Sequence, residues 1–149
     1  MENNIKMFTV TVAQSYAREG RIEEWIQNYL TTGTWRNLGL SVGLKKQARY
    51  WAGPLEIALS DISRCCGPEQ NMEYRVDPIL WKIKTTELAA SIVNPEDLPP
   101  LIVQYTPAAL SIRDGNHRYE ALRLRGFVKC WCLIWYDSEQ DRIKHKPTK

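Results

Sequence analysis

The chain of 149 residues, 17.3 kDa and 44% hydrophobic composition is long enough to bury one core and too short for two, so a single domain over residues 1–149 is expected. Twenty basic against 17 acidic residues give a net charge of +3, too small a surplus to argue for a nucleic-acid or membrane partner. No run of 18 apolar residues occurs, and "MENNIKMFTV" lacks a basic region followed by an apolar stretch, so neither a membrane span nor a secretory leader is read and a cytoplasmic location is expected.

In chain order, "MFTVTVA" (residues 7–13) alternates Phe8, Val10 and Val12, the pattern of a half-buried strand. Over residues 20–31, Ile22, Trp25, Ile26, Tyr29 and Leu30 recur at helical spacing and predict an amphipathic helix. The glycine-rich stretch that follows reads as loop, with a short helix near Lys45 to Trp51. Pro54 suits a first helical turn, and Leu55, Ala58, Leu59, Ile62 and Cys66 then share a face up to Gly67-Pro68, which predicts a second amphipathic helix. "MEYRV" (72–76) reads as a short strand. Asp77-Pro78 forms an N-cap and first-turn pair for a helix running towards Val93, with Thr85 or Thr86 as the cap of a shorter alternative.

After "NPEDLPP", Leu101 to Tyr105 and Leu110 to Asp114 read as strands joined by a turn at Thr106-Pro107. "DGNHR" (114–118) then leads into a helical pattern that stops at Gly126, and Phe127 to Tyr136 reads as a long last strand. The basic tail, residues 137–149, reads as a solvated end. Four cysteines, Cys65-Cys66 and Cys130-Trp131-Cys132, have no ligand spacing with the two histidines and read as reduced thiols, with Cys130 and Cys132 on one strand face. The aromatics before residue 71, Tyr16, Trp25, Tyr29, Trp35, Tyr50 and Trp51, read as core, as Trp25 and Tyr29 lie on an apolar helix face, with a substrate pocket or partner surface as the alternative; Lys45, Lys46 and Arg49 read as phosphate contacts or a solvated helix face.

The turn at residues 114–118 carries the chemistry. A glycine between strand and helix lets the chain turn sharply and opens the first helical amides to an anion, favoured further by the helix dipole. His117 and Arg118 add charge-assisted donors. Asp114 would repel a bare phosphate, and a divalent cation shared between carboxylate and phosphate resolves the conflict. On spacing alone a second reading also stands: Asn116 as an N-cap, Asp114 closing an Asx turn, and Arg118, Arg123 and Arg125 as the wet side of a helix.

"IRDGNHRYEALRLRG", preceded by "ELAASI" and "PPLIV", resembles the core of the ParB/sulfiredoxin superfamily over roughly residues 74 to 136. The resemblance implies an α+β fold with a mixed sheet, flanking helices and an N-terminal helical extension. It divides the domain into an N-terminal strand and helical extension (1–71), the ParB/sulfiredoxin-like core (72–136) and the tail (137–149). It also implies that Gly115, Asn116, His117 and Arg118 face nucleotide phosphates, with Asp114 at the metal. Sulfiredoxin chemistry needs a cysteine in this turn, and Asn116 stands there instead. Chromosome-partitioning members carry a helix-turn-helix after the core, which is not read in the thirteen residues after Tyr136. The motif is most similar to the free serine kinase branch, which also uses an upstream carboxylate as a base; Glu73 and Asp77 are the acids in that region.

The expectation is a ParB-like nucleotide-binding domain acting as a magnesium-dependent phosphotransferase or NTP hydrolase. Its ligands are Mg2+, a nucleoside triphosphate and a small-molecule acceptor, and its catalytic candidates are Asp114, His117, Asp77 and Glu73. The alternative is a non-catalytic nucleic-acid or protein-binding module, or a ParB-like nuclease.

Overall fold

A five-stranded mixed sheet carries the chain, in a computed structural model that describes residues 6–145. The N-terminal segment contributes helices α1 (Val10–Arg18), α2 (Ile22–Thr31) and α3 (Leu38–Leu44). Strands β1 (Tyr50–Ala58), β2 (Ser63–Arg64), β3 (Cys66–Gly67) and β4 (Tyr74–Arg75) follow, then α4 (Pro78–Ser91). The last third holds β5 (Leu101–Tyr105), β6 (Leu110–Asp114), α5 (Asn116–Leu124), β7 (Lys129–Tyr136) and α6 (Glu139–His145). The sheet order is β1-β7-β5-β6-β2, with β1/β7 and β5/β6 antiparallel and β5/β7 and β6/β2 parallel; β3 and β4 form a separate parallel pair.

Strand alternation splits the core in two. On one face Leu101 and Val103 of β5, Ile112 of β6 and Cys130, Cys132, Ile134 and Tyr136 of β7 pack with Ala89 of α4 and Ala121 and Leu122 of α5. Ile102, Leu133 and Trp135 point the other way, against Ala13, Trp25, Ile26, Tyr29, Leu30 and Leu44 of the N-terminal helices. Helices thus cover both faces, which is the α+β mixed sheet expected from the sequence. Cys130 and Cys132 lie buried on one face, with sulfurs 3.7 Å apart and all four cysteines free.

Three expectations for the N-terminal segment are corrected. Residues 7–13 are helical, not a strand: Thr9 caps α1 by accepting the Val12 amide at 3.2 Å, and Val10 and Ala13, three apart, are the residues it buries. The helix placed near Lys45 to Trp51 lies earlier, at α3, because the Asn37 carboxamide accepts the Leu40 amide and starts it there. The helix expected from Pro54 is strand β1 followed by a short 3-10 turn (Leu59–Asp61) and β2. Pro54 sits where the β1/β7 register shifts, on an edge strand, a position that tolerates a residue with no amide hydrogen. Ile57 is buried on strand β1 and Leu59 on the 3-10 turn, not on one face of a helix.

The remaining elements before the tail agree with the sequence, and the tail, expected as a solvated end, is the fourth correction. Asp77 caps α4 by accepting the Leu80 amide at 2.9 Å, and Gly126 ends α5 with φ +84°. The described part of the tail is ordered as α6, whose His145 Nδ1 meets the Tyr136 hydroxyl at 2.6 Å; residues 146–149 lie outside the described residues. Among the described residues no helix is long and apolar enough to cross a membrane.

Candidate functional site

The strand-to-helix junction is built on Gly115, with φ +101°. A Cβ there would lie 2.5 Å from Leu101 Cδ2 and 2.8 Å from Arg118 Nη2, so only glycine fits both the backbone angle and the space. Gly115 is the N-cap of α5 and offers no side chain to it; the first helical bond runs from the Tyr119 amide to the Gly115 carbonyl at 2.9 Å. The amides of Asn116, His117 and Arg118 therefore have no helical acceptor.

This helix end opens onto a cleft of about 670 Å3, within the ~300–1,000 Å3 typical of small-molecule sites. Asp114, Gly115, Asn116 and His117 line one end of it, beside Cys65, Cys66 and Arg113. Asn37 adjoins Asp114 and leads into Gly39, Leu40, Gly43 and Leu44 of α3, and Gln104, Trp135 and Arg49 complete the lining with Tyr74.

Asp114 is held by three donors. The Tyr29 hydroxyl donates to Oδ2 at 2.6 Å, Asn37 Nδ2 donates to Oδ1 at 3.2 Å, and Arg118 Nη2 approaches Oδ2 at 3.5 Å. Burial pushes the Tyr29 hydroxyl well above the usual phenol range, so it stays a donor. Arg118 is 2% exposed and lies behind the turn rather than in the cleft. Its Nη2 donates to the Pro100 carbonyl at 3.2 Å, and its guanidinium stands over Trp35 and Tyr29, 4.8 and 5.8 Å from the ring centroids. Asn116 is also turned inward: Oδ1 accepts the Cys65 and Cys66 amides at 2.9 and 3.3 Å, and Nδ2 donates to the Ile112 carbonyl at 3.3 Å. Any anion at this turn is therefore met by backbone amides, with the Arg118 and Asn116 side chains supporting the turn from within.

His117 packs its ring on Trp81, centroids 4.5 Å apart. Burial, then the nearby cations Lys84, Arg118 and Arg64, holds its imidazole below the usual range, so it is neutral at pH 7. Arg113 is gripped by Glu73 at 2.8 and 3.3 Å, and that bond lowers the Glu73 carboxyl below its usual range. Glu73 thus stands beside the cleft through Arg113, whereas Asp77 is spent on capping α4. The structure gathers Asp114, Gly115, Asn116 and His117 in one cleft and leaves Glu73, Asp77 and Arg118 out of its lining. Sequence reasoning did not connect Tyr29, Trp35 and Asn37 to the turn. They lie about eighty residues away; Tyr29 and Trp35 belong to the aromatic set read as pocket lining or core, and Asn37 gave no signal.

Among the described residues no cluster of three or more His, Cys, Asp or Glu side chains is arranged to hold a metal by itself. Magnesium commonly takes one or two carboxylates together with phosphate oxygens and water. Asp114 is the sole carboxylate among the lining residues, and among the described residues its Oδ1 accepts from Asn37 alone, which leaves one acceptor position open. The residues present fit a magnesium ion that arrives with phosphate.

No protein-family model and no curated protein matches this chain. Among solved structures, sulfiredoxin from Arabidopsis thaliana is similar at 25% identity, covering 61% of this chain and 92% of that one, with a TM-score of 0.42.

Proposed function

We propose that this cleft binds the phosphates of a nucleotide at the turn from Asp114 to Arg118, where Asp114 would hold a magnesium ion that arrives with them. The observation that carries the reading is the start of α5, an uncapped helix N-terminus turned out by left-handed Gly115 into a cleft whose cationic lining is Arg49 and Arg113. Free amides and the positive end of the helix dipole attract an anion, and the two guanidiniums add permanent positive charge. Magnesium, when bound, offsets the repulsion between phosphate and the Asp114 carboxylate.

The chain's own residues do the rest. The amides of Asn116 and His117 hold anionic oxygens, and Tyr29 and Asn37 fix the Asp114 carboxylate. Neutral His117 is the lining group suited to take a proton from an acceptor hydroxyl or from water, because Glu73 is weakened as a base by Arg113. The reaction class this supports is phosphoryl transfer from a nucleoside triphosphate to a small-molecule hydroxyl or to water. Titration of ATP, CTP and GTP with and without magnesium, followed by a phosphate-release assay, tests it. Saturable, magnesium-enhanced binding is expected, with turnover reduced by His117→Gln more than affinity is. Absence of saturable binding for all three nucleotides overturns the proposal; binding without turnover leaves the phosphate site and removes the reaction.

A further inference from the structure

Helix α4 is apolar on both of its sides. The inward side buries Trp81, Thr85 and Ala89. The outward side carries Ile79, 71% exposed, Leu80 and Ile83, 48% exposed, followed by the exposed Thr86 and Ala90. A helix at the surface of a domain normally turns a polar face to water, and one that is apolar all round is normally covered. A shallow depression of about 560 Å3 runs along this outward side, and the residues lining it, Pro78, Ile79, Lys82, Ile83, Thr86 and Glu87, all belong to α4. No other described element shares it.

Ile79, Ile83, Thr86 and Ala90 follow one another at steps of four, three and four, the spacing of the seam between two coiled helices. Lys82 borders this seam on one edge and Glu87 on the other, both exposed and neither in an ion pair with a described residue. Their separation of five positions decides how a second helix can lie. Two copies of α4 placed side by side in parallel about a two-fold axis bring the Lys82 edge of each against the Glu87 edge of the other, at the offset where flanking side chains of successive turns meet across a seam. The symmetry makes that ion pair twice. In an antiparallel pair each edge meets its own copy, so lysine edge faces lysine edge and glutamate edge faces glutamate edge. The charge pattern is thus complementary to itself in the parallel arrangement alone. At ~1.5 Å per residue the helix is about 21 Å long, and one face of it covers less than the ~800 Å2 per partner of a stable complex, so the association belongs to the weak, concentration-dependent class.

We infer that the outward side of α4 is a self-association surface, on which two copies of this chain pair in parallel with Ile79 and Ile83 in the seam and Lys82 of each copy against Glu87 of the other. The test is sedimentation equilibrium of the full chain from about 10 μM to about 1 mM. The average mass should rise from 17.3 kDa towards twice that value, with half-association on the order of 100 μM. Ile83→Lys and Ile79→Lys should each hold the mass at that of one chain, and circular dichroism verifies that these solvent-facing changes keep the fold. Lys82→Glu and Glu87→Lys should each weaken self-association about tenfold, and an equimolar mixture of the two should regain it, because each copy then supplies the charge the other lacks. The mixture keeps the test decisive even if an isoleucine variant fails to fold. A mass of one chain throughout the range for wild type overturns the inference and leaves the stripe to a different protein. A dimer that survives both folded isoleucine variants, or a mixture that associates no better than either charge variant alone, overturns it as well.

Discussion

Replacing Asp114 by asparagine probes whether the turn is held from inside. In the native protein its carboxylate faces Arg118, a cation only 2% exposed, at 3.5 Å, and accepts from Tyr29 at 2.6 Å and Asn37 at 3.2 Å. Asparagine keeps one oxygen for the Tyr29 hydroxyl, turns an amide group towards the Asn37 donor, and removes the charge opposite Arg118. Breaking a buried pair from one side costs about 3–5 kcal/mol. The pair here is long and Arg118 keeps the Pro100 carbonyl, so the lower end, about 3 kcal/mol, is expected. For a domain of this size that corresponds to a fall in Tm of about 6–12 °C. Thermal and urea unfolding followed by circular dichroism measure it. The same variant should weaken nucleotide binding in magnesium more than in chelator. A Tm within about 1 °C of wild type would refute the account of Asp114 as the anchor of the turn.

Gly115→Ala should cost about 2–4 kcal/mol in urea unfolding, from a left-handed backbone and the collision with Leu101 and Arg118; a loss below about 0.5 kcal/mol contradicts the reading of the junction. His117 has its proton affinity lowered by burial and neighbouring cations, so the folded state binds fewer protons than the unfolded chain as pH falls through the ordinary histidine range. Its contribution is full above about pH 6.5 and is lost below it, so His117→Gln should flatten the decline in stability between about pH 7 and 5. His145, also lowered by burial, should account for the remainder, and an unchanged slope in the His117 variant speaks against the burial argument. If the ligand were nucleic acid held by the tail, affinity would fall steeply with salt and deletion of residues 146–149 would flatten that dependence. The cleft account expects the deletion to leave nucleotide affinity unchanged and Arg113→Ala to reduce it.

The second half of the chain was legible because local chemistry and tertiary structure agree there. Asp77-Pro78 opens α4, the Leu101–Tyr105 and Leu110–Asp114 runs are strands, Gly115 turns the chain and Gly126 ends α5. The first half misled where two periodicities fit one short stretch. Phe8, Val10 and Val12 alternate, yet the Thr9 cap decides for helix; Pro54 resembles a helix start, yet an edge strand with a register shift accommodates it. At the site, Asp114, Gly115 and His117 were legible as a turn. The direction of their side chains was not, because it is set by residues from distant elements. Asn116 was available as a phosphate ligand or a cap until the Cys65 and Cys66 amides claimed its oxygen, and Arg118 as a phosphate ligand or a surface cation until Trp35 and Tyr29 enclosed it.

On the proposed reading, phosphate is held by the amides at the start of α5. Amide chemical shifts of isotopically labelled protein, followed while nucleoside triphosphate and magnesium are added, test it most directly. Saturable shifts are expected, largest at Gly115, Asn116 and His117, and reproduced there by inorganic tripolyphosphate. Shifts that leave these three amides unmoved while changing elsewhere, or no saturable shift at all, would contradict it.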